Sequence, residues 1–230
     1  MRRKTDNGFT IIEVLMFLAV SSALAVALLA GTGLAIQRQQ YKDALYSFSG
    51  FLSDQYSSVI NVMNDRPNDR PCPVASDAID TNRGQSDCVI VGRYIETADD
   101  EGRQFTSYPL YALSDGIAWQ YGLSLDEGNR YEASWKVKTR LSTSPGANMA
   151  ILMLRDPETG RLMIRTSDRK YSPEEMTGFA TSVDNQGQAE ICVYDSNWFT
   201  QTRQSVFLSG KAGSADAVTV ANATGACGDE

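Results

Sequence analysis

The sequence predicts an α+β fold in which the distal half of one long N-terminal helix packs on an antiparallel β-sheet. Three patterns predict it: an uncharged apolar run, an apolar stripe that follows it with helical period, and a series of short strand-like segments separated by turns. With 230 residues, the chain is long enough for one sizeable core, or for one domain with an appendage.

The apolar run extends from Val14 to Ile36 without a charged residue. As a helix it would be about 35 Å long, which is enough to cross a hydrocarbon layer of about 30 Å. The basic residues Arg2, Arg3 and Lys4 precede it. The positive-inside rule therefore predicts a cytoplasmic N-terminus, with the chain beyond Gln37 on the other side of the membrane.

Three interpretations of this segment compete. It could be a secretory signal peptide cut near Ala25 or Ala27, a plain signal anchor, or an anchor with a further role. The first two leave Glu13 unexplained, although it is the one charged residue in the apolar segment. A carboxylate costs about 2.5–3.5 kcal/mol at the centre of a membrane helix, so an acid in such a segment indicates function.

The run Gly8-Phe9-Thr10-Ile11-Ile12-Glu13-Val14-Leu15 resembles the prepilin signature of type IV pilins and type II secretion pseudopilins. The resemblance covers residues 1–36. It implies that prepilin peptidase cuts between Gly8 and Phe9 and methylates the new N-terminal Phe9. It also implies that Glu13 is the family's acid at the fifth mature position. Since a lone buried charge is costly, we expect Glu13 to pair with the Phe9 amine of its own or of a neighbouring subunit and to set the register of assembly.

The family plan divides the chain into four segments. These are a leader peptide (1–8), a transmembrane and filament-core helix (9–36), its amphipathic continuation (37–65) and an extracytoplasmic β-rich head (66–230). The stripe of the continuation predicts one helix over 10–64, although an anchor followed by an unrelated core helix would show the same pattern. Its members are Tyr41, Leu45, Phe48, Leu52, Tyr56, Val59 and Met63.

Two glycines, Gly31 and Gly33, interrupt the apolar helix with poor helix formers. They could permit a loss of helical order during assembly, as in the family, or only a tolerated kink or close helix packing. Three prolines between Arg66 and Pro73 then end the helix.

The head is predicted to form a mainly antiparallel sheet. A strand is expected at Cys88–Glu96, and residues 131–141 alternate like one half-buried strand. Turn residues 156–160 predict a hairpin of Met149–Leu154 and Arg161–Arg165. Further strands are expected at Ala189–Tyr194, Ser205–Leu208 and Ala217–Ala221.

Four cysteines occur at wide spacings: Cys72, Cys88, Cys192 and Cys227. An even number beyond a membrane anchor predicts two disulfides, with three possible connectivities. The sequence-local pairs Cys72–Cys88 and Cys192–Cys227 are favoured, and four buried thiols are the alternative.

Composition excludes several kinds of chemistry. The chain has no histidine, which rules out histidine-based triads and histidine-ligated metals. It also lacks a Walker A motif and a G-x-S-x-G elbow, so we do not expect an enzyme. The net charge is −7, and the basic leader leaves −9 on the rest, which argues against general nucleic-acid binding.

Two weaker binding signals remain. Lys136, Lys138 and Arg140 are expected on one strand face, either as a DNA-binding patch or simply as the solvated face of the strand. No metal site is assigned, because the oxygen ligands that could hold calcium lack EF-hand spacing. They are Asp184, Asn185, Asp195, Asn197, Asp216 and Asp229.

The resemblance implies a structural subunit of a type IV pilus-like filament, without a cofactor. The length after cleavage and the insertion after Pro71 favour a minor subunit. Its partners would be other pilin subunits, prepilin peptidase and the inner-membrane assembly platform. It would be a single-pass inner-membrane protein before it enters a cell-surface filament. The alternatives are a pseudopilin of a type II secretion system, a competence pilin with a DNA- or surface-binding head, and a binding protein unrelated to pili.

Overall fold

A computed structural model describes residues 10–61, 72–74, 88–182, 188–194, 203–210 and 215–227. The chain divides into two compact units, Met1–Gln40 and Tyr41–Glu230. The fold is α+β, as the sequence predicts: within the described residues, a long N-terminal helix, α1 (Ile11–Ile60), precedes ten strands and one further short helix, α2 (Met176–Thr181). The two units are described separately.

The first unit consists of the apolar part of α1. Its large side chains are exposed, for example Phe17 and Leu29. By length and composition this helix could cross a membrane. The backbone stays helical through Gly31 and Gly33, where a Cβ atom would meet no other atom within 4 Å. Neither glycine therefore breaks the helix within one chain.

Where the structure describes it, the second unit forms two antiparallel sheets. The first has the order β3-β2-β1-β6-β7, with β4 also paired to β2, and the second has the order β10-β9-β8-β5. The strands of the first sheet are β1 (Cys88–Thr97), β2 (Gln104–Ser114), β3 (Trp119–Leu123), β4 (Asn129–Glu132), β6 (Ala150–Arg155) and β7 (Leu162–Ser167). Those of the second are β5 (Lys138–Leu141), β8 (Gln188–Tyr194), β9 (Gln204–Ser209) and β10 (Val218–Asn222).

Most predicted strands are confirmed, including the β6–β7 hairpin, but β2 and β3 were not predicted. β2 contains Pro109, which lacks a donor and therefore argues against a strand paired on both sides. The structure accommodates it because β2 changes partner at this point. Residues 104–107 pair with β4, and residues 110–114 pair with β3.

The prediction of one strand over 131–141 is wrong. β4 ends at Glu132, a 3₁₀ turn covers Ser134–Lys136, and β5 begins at Lys138 in the other sheet. Trp135 makes the turn with a left-handed backbone (φ 58°) and is 56% exposed. Ala133, Val137 and Leu141 are buried in one core on both sides of the turn, whereas the alternation fails at Trp135.

The amphipathic half of α1 supplies the main core. The predicted stripe is confirmed from Tyr41 to Val59, with Ala44 as an additional buried member, while Met63 lies outside the described residues. Phe48 packs 5.0 Å from Phe105 between ring centroids, and Phe51 stacks on Tyr131 at 4.4 Å. Because each fully buried side chain of this size contributes about 1.5–3 kcal/mol, the helix and both sheets depend on this core.

The opposite face of the first sheet carries a second core. Tyr94, Leu110 and Leu152 pack there against Met176 and Phe179 of α2. The first sheet is therefore covered on both faces, which explains why every residue from Ala150 to Leu154 is buried.

The two disulfides are the favoured sequence-local pairs. Cys72 bonds to Cys88 and Cys192 to Cys227, with Cα–Cα distances of 6.1 and 5.3 Å. The first holds the segment before the sheets against β1, and the second attaches the C-terminal segment to β8.

Candidate functional site

The N-terminal candidate site is described from Thr10 onward, since the junction residues Gly8 and Phe9 lie outside the described residues. The backbone N–H of Glu13 donates to the Thr10 carbonyl at 3.1 Å and lies 3.4 Å from Thr10 Oγ1. Thr10 therefore occupies the N-cap position of α1. This role was not predicted, although T-x-x-E before an apolar run is a known capping pattern.

The carboxylate of Glu13 is exposed and accepts no hydrogen bond from another described residue. Two other polar side chains of the apolar helix bond to its own backbone. Ser22 Oγ donates to the Leu18 carbonyl at 2.7 Å, and Thr32 Oγ1 donates to the Leu28 carbonyl at 3.0 Å. Glu13 is the one charged side chain between Thr10 and Ile36, and within the described residues its carboxylate remains available to a group from outside.

The predicted basic patch does not form as one strand face. Lys136 lies in the turn before β5, so only Lys138 and Arg140 share a face of that strand. Lys138 Nζ pairs with Glu101 Oε1 at 3.0 Å. Arg140 donates to the Tyr194 hydroxyl and, at 3.1 Å, to the Ser144 carbonyl. Lys138 and Arg140 are therefore already bonded to other residues of the chain, whereas DNA binding would require them to contact phosphate groups.

Arg103 also pairs with Glu101. The pKa of Glu101 lies below its ordinary value, mainly because Lys138 donates a hydrogen bond to its carboxylate and in part because Arg103 is close. The surroundings of the strand are therefore a mixed-charge network.

Of the oxygen ligands considered for calcium, the structure describes Asp216, which is exposed. The other five lie outside the described residues. Within the part of the chain that the structure describes, no group of three or more acidic or cysteine side chains could hold a metal ion.

No protein-family model, curated protein or solved structure matches this chain.

Proposed function

We propose that this chain is the precursor of a structural subunit, of the minor type, in a type IV pilus-like filament, cut by prepilin peptidase between Gly8 and Phe9. The observation that carries the proposal is Glu13, a carboxylate without a partner among the described residues, in the first turn of a helix with no other charge as far as Ile36. A plain membrane anchor gives this acid no role.

Cleavage would provide the missing partner. It would create a free, positively charged amine at Phe9, about one helical turn from Glu13. A charge pair in a low-dielectric environment requires close geometry, and an unpaired buried charge is costly. Pairing between the amine of one subunit and Glu13 of its neighbour would therefore set the axial register of the filament.

The rest of the molecule supports this role. The apolar helix could hold the precursor in the inner membrane, with the basic leader in the cytoplasm. Both disulfides suit a head that folds on the oxidising side of the membrane. The partners would be other pilin subunits, prepilin peptidase and the inner-membrane assembly platform.

N-terminal sequencing of the mature protein tests the processing step. A methylated Phe9 at the N-terminus is the expected result. A start after Ala25 or Ala27 would identify a secreted protein, and an intact Met1 would identify a plain anchor. Either of these two results would exclude the proposal.

Incorporation into filaments tests the role of the acid. Glu13→Ala should be inserted and processed normally but should be depleted from sheared filaments. Asp54→Asn is the matched control, because it removes an exposed carboxylate from the same helix. Equal incorporation of both variants would contradict a register role for Glu13.

A further inference from the structure

A polar groove of about 700 Å³ lies on the first sheet. Glu96, Thr106 and Arg130 occupy directly paired positions on β1, β2 and β4, so their side chains project from one face. Their neighbours Ile95 and Phe105 belong to the core against α1, which places the three on the opposite face. The volume is within the range of about 300–1,000 Å³ that is typical of ligand sites.

The groove combines both signs of charge. Glu96 and Glu132 bring two carboxylates, while Arg130 and Lys170 bring two cations. Carboxylates only accept hydrogen bonds, and ammonium and guanidinium groups only donate them. Because the charges balance, the groove favours neither a strongly anionic nor a strongly cationic ligand.

Several of these groups have unused bonding capacity. Thr106 is only 8% exposed, yet its hydroxyl makes no hydrogen bond to any other described residue. The hydroxyl of Tyr108 and the charged groups of Arg130 and Lys170 likewise make no hydrogen bond or ion pair within the described part of the chain. The Thr106 oxygen is not itself shut off from solvent, so within the groove it is open to a hydrogen bond from a ligand.

Other parts of the groove are held in place by the fold. The Tyr171 N–H donates to the Tyr94 hydroxyl at 2.8 Å, and that hydroxyl donates to Glu96 Oε2 at 3.2 Å. The ring of Tyr108 packs against Gly128, where a Cβ atom would lie 2.7 Å from Tyr108 Cε1. One carboxylate and one aromatic ring are therefore oriented before any ligand arrives.

We propose that this groove binds an uncharged oligosaccharide. A sugar hydroxyl donates and accepts, so it can bond to a carboxylate and to a cation of the groove at the same time without bringing net charge. The apolar face of a sugar ring would pack on Tyr108. Binding of this kind goes beyond filament assembly and does not depend on it.

Thr106→Val is the sharpest test. It removes the hydroxyl, keeps the methyl group near Gly128 and loses no hydrogen bond to another described residue. The full chain, purified in a detergent without a sugar headgroup, is applied to an array of neutral, sialylated and sulphated oligosaccharides. The neutral oligosaccharide that binds most tightly is then titrated by calorimetry.

We expect Thr106→Val to weaken its binding about five-fold, the effect of one lost hydrogen bond. Thr219→Val, which removes an exposed hydroxyl from β10 of the other sheet, should leave it unchanged.

Arg130→Gln gives a second measurement that does not disturb a core, because Arg130 is exposed. It should also weaken binding of the neutral oligosaccharide. The proposal is overturned if no neutral oligosaccharide binds, if only sialylated or sulphated ones bind, or if binding is the same in Thr106→Val and Thr219→Val. These outcomes leave the test of Phe9 processing unaffected, so the two proposals can fail separately.

Discussion

Replacing Tyr41 by phenylalanine should weaken the attachment of α1 to the second sheet. The Tyr41 hydroxyl lies 3.2 Å from the Val193 carbonyl and 3.0 Å from the Gln204 carbonyl, and it accepts from the Gln204 N–H at 2.9 Å. The β8–β9 ladder ends at the pair Cys192–Ser205. The Tyr41 hydroxyl therefore bonds to Val193 and Gln204, the next residue of each strand, where β8 and β9 no longer pair with each other.

The magnitude follows from what the substitution removes. The ring of Tyr41 stays buried, so the apolar contribution is unchanged. The backbone N–H of Gln204 and the carbonyl of Val193 lose a partner, and such a loss costs about 1–3 kcal/mol when the groups are shielded from water. A domain of this size has a free energy of unfolding of about 5–15 kcal/mol, so the change is measurable.

Urea unfolding of the full chain in detergent, with both disulfides intact, measures the free energy of unfolding of Tyr41→Phe and of the original chain. Tyr46→Phe is the matched control, because it removes a hydroxyl from the same helix on a side chain that is 60% exposed. We expect the control to stay within about 0.5 kcal/mol of the original chain. A Tyr41→Phe loss no larger than that of Tyr46→Phe would refute the structural role of the hydroxyl.

Three further predictions concern the head. Burial raises the pKa of Glu96 above its ordinary value, so its ionisation opposes folding, and the stability present at low pH is lost as pH rises through the folded-state pKa. Glu96→Gln should therefore gain stability relative to the original chain between pH 4 and pH 7 in thermal unfolding, whereas a pH-independent difference would contradict this. Cys227→Ser opens a loop of 35 residues, and chain entropy predicts that the free energy of unfolding falls by about 4 kcal/mol. The corresponding loss for Cys72→Ser is about 3 kcal/mol, because its loop is shorter. Equal urea midpoints for the two variants, or midpoints in the reverse order, would argue against loop entropy as the cause. Gly92→Ala would place a Cβ atom 2.3 Å from the backbone carbonyl oxygen of Met153 and should disrupt the β1–β6 ladder. Faster amide hydrogen exchange in both strands is the expected result. Gly50→Ala, at a position with open space, should leave this exchange unchanged.

The stripe of α1 was predictable because helical periodicity is a local property. Every third or fourth residue faces the same side whatever lies there, so Leu45 and Leu52 could be assigned to a core before the sheets were known. The β6–β7 hairpin was equally accessible, since its turn chemistry lies within five residues.

The crossover at Trp135 was not predictable in this way. Alternation reports which residues face a core but not which sheet they belong to, and the core here is shared by both sheets. β2 was not predicted for a related reason. Pro109 is tolerated there because one edge of β2 pairs with β4 before Pro109 and with β3 after it. Both facts depend on neighbours distant in sequence.

By itself, the sequence determined the apolar helix and the single acid Glu13 within it, because charge and hydropathy along a segment need no tertiary context. It also favoured the correct disulfides. Only the tertiary structure decided that the basic residues after Trp135 are divided between a turn and a strand and that Lys138 and Arg140 are already engaged. It also created the groove at Thr106, because that site joins side chains from three strands and a loop, and such proximity exists only after folding.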